Sequence, residues 1–167
     1  NEMIRKPVKL YLEQHLIEIG CAKVFTDPKD AGVAKPKEWA LVSMPEAAGY
    51  ETKNEKVTYV DRDGIRTYHY KKSEVTLDAS VRIAADNLDR LCALSAAFMI
   101  GLARRIKDDY GYDIELALGE SGSNPADSEV AAKSEMIITV VAVGGVYITR
   151  EVPLITAVEL ETEIIRR

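Results

Sequence analysis

The stretch "RTYHYKKSEVTLDASVRIAADNLDRL", residues 66–91, decides the fold. From Glu74 it alternates cleanly: Val75, Leu77, Ala79, Val81 and Ile83 fall on one side, and Thr76, Asp78, Ser80 and Arg82 on the other. Successive strand side chains point to opposite faces, so this is a strand with one buried face. The alternation stops at Asp86-Asn87. Asp86 suits the N-cap of a helix, and Asp89 would sit near its positive end. Leu88, Leu91, Cys92, Ser95, Phe98, Leu102 and Ile106 then mark one stripe of a helix expected over residues 86–108. Leu94, Met99, Ile100 and several alanines lie outside that stripe. A helix apolar around so much of its girth needs cover on more than one side. Either it is sandwiched between the sheet and a first helix, or part of it faces another subunit. Leu94, Met99 and Ile100 are the candidate subunit-interface residues.

The rest of the chain builds around this unit. "IRKPVKLYLEQHLIEIG" reads as an N-terminal helix, with Ile4, Val8, Tyr11, Leu12 and Ile19 near one face and Leu16 beside them. Pro7 suits a first turn and Gly20 a stop. "CAKVFT" and "EWALVSM" are short strands, and Asp63-Gly64 between alternating segments predicts a hairpin. "YDIELALG" is a strand, and "EMIITVVAVGGVYITREV" reads as two strands joined at Gly144-Gly145. Loops are expected near residues 27–37, 45–56 and 119–134, rich in Pro, Gly and charge. The order predicts one α+β domain over residues 1–167. Its sheet is mostly antiparallel, with an N-terminal helix and one long central helix packed on one face.

A chain of 167 residues with 47% hydrophobic and 29% charged residues suits a globular domain. A net charge of −5 argues against a general grip on nucleic-acid phosphates. Cys21 and Cys92 lack short spacing and adjoin apolar residues, so buried free thiols are expected. "NEMIRKPVKL" lacks a signal-peptide pattern, and synthesis in a cytoplasm is expected. The longest apolar run, residues 91–103, is shorter than the roughly 20 residues that span a bilayer. No membrane association is expected.

Chemistry is sparse. His15 sits among polar neighbours and reads as a surface residue, while His69, between two tyrosines, reads as a packed strand histidine. "GESGS" at residues 119–123 misses the spacing of a nucleophile elbow. "DRDG" at residues 61–64 opens like a calcium loop, but Lys72 stands where the closing glutamate belongs. No zinc spacing and no phosphate-binding glycine loop is present in the sequence. Neither catalysis nor a cofactor or metal is expected. Glu159, Glu161 and Glu163 alternate with Val158, Leu160, Thr162 and Ile164. Period two sets the glutamates on one face at about 6–7 Å intervals. This is either a solvated outer face or an acidic lumen surface that repels passing DNA.

The layout "IRKPVKLYLEQHL…CAKVFT…EWALVSM", followed by "RTYHYKKSEVTLDASVRIAADNLDRLCALSAAFMIGLARRI", resembles bacteriophage tail terminator and tail-completion (neck) proteins. The likeness is one of element order and texture, weakest over residues 119–167. It implies a non-enzymatic virion protein, whose copies form a ring on the head-proximal end of the tail tube, commonly of about six. The ring would cap the tube, meet the neck or connector and, where there is one, the sheath. DNA would pass through without specific binding. Another tail component (tube, baseplate or sheath-linked) is the alternative, and a small ligand-binding domain or enzyme stands behind it.

Overall fold

The computed structural model describes residues 2–30, 36–46, 48–51, 56–123 and 134–154. Its axis is a pair of long strands, β5 (Ile65–Ala85) and β8 (Ser134–Pro153). They run antiparallel from Ile65↔Pro153 to Ala85↔Ser134, and the register shifts between Lys71 and Ser73. The shift leaves Lys72 as an extra residue on β5, a bulge that bends and twists the ladder there.

The free edge of β5 is lined in turn by three short strands. β2 (Trp39–Ser43) pairs with its C-terminal end, β3 (Gly49–Glu51) with its middle and β4 (Lys56–Arg62) with its N-terminal end, all antiparallel. β1 (Val24–Phe25) adds to β2 in parallel. On the other side β7 (Asp113–Ser123) pairs antiparallel with β8, and β6 (Arg105–Lys107) antiparallel with β7. All eight described strands belong to one sheet, in a mixed α+β fold.

Two helices cover one face of this sheet. α1 (Glu2–Glu18) presents Ile4, Val8, Leu12 and Leu16, and α2 (Leu88–Gly101) presents Leu91, Leu94 and Phe98. They meet Val75, Leu77, Ala79, Val81 and Ile83 of β5, Ile138, Val140 and Ala142 of β8, Ile114 and Leu116 of β7, and Ala40 and Val42 of β2. Each large aliphatic side chain buried this way contributes about 1.5–3 kcal/mol. The alternation expected on β5 is the buried face observed.

Local chemistry sets the element ends. Asp63 and Gly64 both take positive φ, 52° and 76°, and close the β4–β5 hairpin as expected. Gly20, at φ 94°, ends α1: its N–H donates to the Ile17 carbonyl and that of Cys21 to the Leu16 carbonyl. This is the paired closure of a Schellman motif.

Several expectations are corrected. α1 begins at Glu2, so Pro7 lies inside it and is buried; its missing N–H costs α1 one bond near its start. The N-cap of α2 is Asn87, whose Oδ1 accepts from Arg90 N–H at 2.8 Å, and Asp86 is exposed. α2 stops at Gly101, well short of residue 108, because Arg105–Lys107 extends the sheet beside β7. The central helix is therefore modest in length. The loop expected over residues 45–56 contains β3, and that over residues 119–134 begins as strand through Ser123, which places "GESGS" inside β7.

Gly144-Gly145 does not turn. β8 runs through both, and both are buried. A Cβ at Gly144 would collide with Cγ2 of Ile4, so this glycine admits α1 onto the sheet. A glycine inside a strand marks close approach as readily as a turn.

Candidate functional site

The fully buried face of β5 ends at Val75, whose register partner Gly144 lies under Ile4 of α1; on β8, Val146 just beyond is still partly buried against the core. Beyond that line β4, the N-terminal part of β5 and the C-terminal part of β8 continue as a three-stranded arm. No arm residue from Lys56 to Lys72 is fully buried. Neither face of "IRTYHYKK" is wholly apolar, which is why it builds no core.

Register sorts the arm into two faces. One carries Val57, Tyr59 and Asp61 of β4, Arg66, Tyr68 and Tyr70 of β5, and Ile148, Arg150 and Val152 of β8. Val57, Tyr59, Ile148 and Val152 are exposed. Tyr68 lies 6.1 Å from Tyr59 and 6.0 Å from Tyr70, ring centre to ring centre. Arg66 lies 4.1 Å over the Tyr59 ring and donates to both Asp61 oxygens, at 2.7 and 3.0 Å. That guanidinium holds the Asp61 carboxyl below its ordinary value. A partly exposed set of tyrosine and arginine is the composition enriched at protein interfaces.

The opposite face carries Lys56, Thr58, His69, Lys71, Tyr147 and Thr149. The turn before β7 leans over it. Asp108, buried, accepts from the N–H groups of Tyr110 and Tyr112 at 2.8 and 2.9 Å, and Gly111 at φ 86° completes the turn. Tyr112 stacks flat on Tyr147 at 3.8 Å and shares a 2.6 Å hydrogen bond with His69 Nδ1. These residues border a cleft of about 360 Å³ with Tyr110 and Thr149. Burial, then the Asp108 charge, pushes both phenols above their ordinary value. Both phenols therefore stay neutral at pH 7, where they stack on each other and Tyr112 hydrogen-bonds His69. His69 is the packed strand histidine the sequence suggests.

The expected interface helix divides differently. Leu94 lies fully in the core, because α2 turns it toward the sheet. Met99 is half-buried against that core, and Ile100 is 85% exposed. The exposed row is Leu88, Cys92, Ala96 and Ile100, spaced by four. Leu88 and Cys92, assigned by stripe to the buried side, are thus on the surface; Cys21 alone of the cysteines is buried. His15 is also corrected. It is buried, lies parallel to Tyr11 and donates from Nε2 to the Phe98 carbonyl at 2.8 Å. That carbonyl is one of the last four of α2, which have no helical partner. A Cβ at Gly101 would come 2.9 Å from the His15 ring, so this glycine lets α1 approach the end of α2.

Glu159, Glu161 and Glu163 lie outside the described residues. Among the described residues no cluster of three or more His, Cys, Asp or Glu could hold a metal ion, and no helix is long and apolar enough to cross a membrane. Neither a protein-family model nor a curated protein matches the chain.

Proposed function

We propose that this chain is a virion structural protein of the phage tail terminator type. Its copies form a ring that caps the head-proximal end of the tail tube and offers a second face to the neck or connector. The observation that carries the reading is the arm: a three-stranded extension with Tyr59, Ile148 and several valines exposed and Tyr68 and Tyr70 half-buried between them, beyond the fully buried face of the sheet. A lone domain gains little from building such an extension, whereas a subunit gains a contact surface. The resemblance in element order supports the particular choice of tail terminator, and no enzyme activity or cofactor is part of the proposal.

The test is mass photometry of the purified full chain across a concentration series, with negative-stain images of tail tubes mixed with it. Closed rings of about six copies, seated on tube ends and halting their growth, are expected. A chain that remains single at high concentration and leaves tube ends unoccupied would refute the proposal. Rings seated along the tube or at its distal end would favour another tail component instead. The ligand-binding alternative rests on the tyrosine cleft; a thermal shift with a small molecule that is lost in Tyr147→Ala would favour it.

A further inference from the structure

The molecule exposes a second apolar surface, on the outer side of α2. Leu88, Cys92, Ala96 and Ile100 form a continuous ridge along α2, because residues four apart stack on one helix face. α2 begins just past Ala85, at the far end of β5. Tyr68 on the arm and Ala85 are separated by about 55 Å along the strand at strand rise. The paired strand thus sets the arm and the start of the ridge at opposite ends of β5, so the arm of one chain does not meet its own Leu88.

The charges at the two surfaces are opposite. Arg150 sits among Tyr68, Tyr70 and Ile148 on the apolar arm face, and among the described residues it has no ion-pair partner. Asp86 and Asp89 are exposed at the start of the ridge and are likewise unpaired among the described residues. An apolar arm with a free cation matches an apolar ridge flanked by free carboxylates.

We propose that the arm face of one copy docks on the α2 ridge of the next. Two different patches in contact make a head-to-tail association, and such contacts close into rings when the rotation permits. The inference rests on the ring reading above and names the surfaces that build it. Ile148 and the tyrosines would lie across the Leu88–Ile100 ridge, with Arg150 against Asp86 and Asp89.

Cys92, in the middle of the ridge, supplies the test. Single cysteines are placed on the arm face at Tyr59, Ile148 or Val152, and the full-length protein is treated with a short bis-maleimide. Cross-linked ladders extending to the size of the closed ring are expected, and they should vanish when Cys92→Ser is added. Dimers that persist in Ile148→Cys with Cys92→Ser would show arm against arm and overturn the proposal. Rings in the unmodified protein with no arm-to-Cys92 cross-link at any of the three positions would overturn it too, while leaving the ring reading intact. A wild-type chain that never associates would instead sink the ring reading itself. Charge reversal gives an independent measure. Arg150→Glu should weaken association about tenfold or more, and adding Asp89→Arg should restore most of it. Equal loss in the single and the double variant would count against the pairing.

Discussion

β5 is one strand with two lives. Along residues 75–85 every inward position is buried under α1 and α2; along residues 65–74 no residue is. The same ladder with β8 runs through both halves, so backbone pairing does not distinguish them. The difference is cover. α1 reaches the sheet at Ile4 over Gly144, opposite Val75, and just beyond that line β5 bulges at Lys72. The core half is stabilised by apolar burial, while the arm half is held by its hydrogen-bonded ladder and its aromatic contacts and leaves apolar surface in water. Stability and assembly are therefore separable by position along a single strand.

The sharpest way to break that comparison is to delete the same kind of side chain in each half. Leu77→Ala, fully buried, should cost about 2–5 kcal/mol, since it loses burial and leaves a cavity. Ile148→Ala, exposed on the arm, should change stability by less than about 0.5 kcal/mol. Urea midpoints of the two variants decide the matter. If Ile148→Ala destabilised as much as Leu77→Ala, the arm would have cover of its own.

The border between the halves is tested at its glycines. Gly144→Val places bulk against Ile4 and should cost about 1–3 kcal/mol or lift α1 from the sheet, read as a lowered melting temperature. Gly145→Ala should cost less. Its new Cβ meets Lys71 Cε at 2.7 Å, which can swing away, and the edge of the Tyr147 ring at 2.9 Å, which must shift slightly; neither belongs to α1. Equal damage at both positions would mean that the approach of α1 is not what these glycines serve.

How far the sequence could be read follows the same line. Val75 to Ile83 announced their strand because one face is buried and the other is not. Asp63-Gly64 announced its turn because positive φ at both positions selects those residues. Gly144-Gly145 misled because a turn and a close approach ask for the same residue, and the choice depends on Ile4, distant in sequence. Leu94 misled because the buried stripe of α2 is wide, taking Leu91, Leu94, Ser95 and Phe98. The true outer row of Leu88, Cys92, Ala96 and Ile100 is no less apolar, and hydropathy alone does not say which row meets the sheet. The arm was hidden for a different reason. Mixed faces on residues 65–72 signal an uncovered strand only once the reach of the helices is known.

His15 marks the core side at the helix layer. His15→Ala would leave the Phe98 carbonyl without its buried donor and remove a ring that packs between Tyr11 and Phe98. A loss of about 1–2 kcal/mol is expected in chemical denaturation. Association measured at a temperature where the variant is fully folded should be unchanged, because His15 touches neither the arm nor the outer row of α2. A change in association without a change in stability would contradict the division of labour along β5.

The smallest effect compares two ion pairs of the same type. Glu38 accepts from Arg90 at 2.6 Å and from Ala22 N–H at 2.9 Å, while Arg90 also donates to the Gly20 carbonyl at 3.0 Å, so the pair ties the end of α1 to the starts of β2 and α2. The Arg90 hydrogen bond is the main reason the Glu38 carboxyl sits below its ordinary value. A carboxyl depressed in the folded state stabilises above its unfolded value, and the contribution is lost as pH falls through the folded one. Glu38→Gln should therefore lower stability at neutral pH by less than about 1 kcal/mol, and the gap to wild type should close toward acid pH. Asp61 and Arg66 make a similar pair on the arm, but both lie in water and the partners are already neighbours in one hairpin. Asp61→Asn should leave the stability profile over the same acid range superimposed on wild type, because solvent screens the pair and the unfolded hairpin can form it too. A closing gap for Asp61→Asn as large as that for Glu38→Gln would show the arm contributing to the fold, and would undo the distinction between the halves.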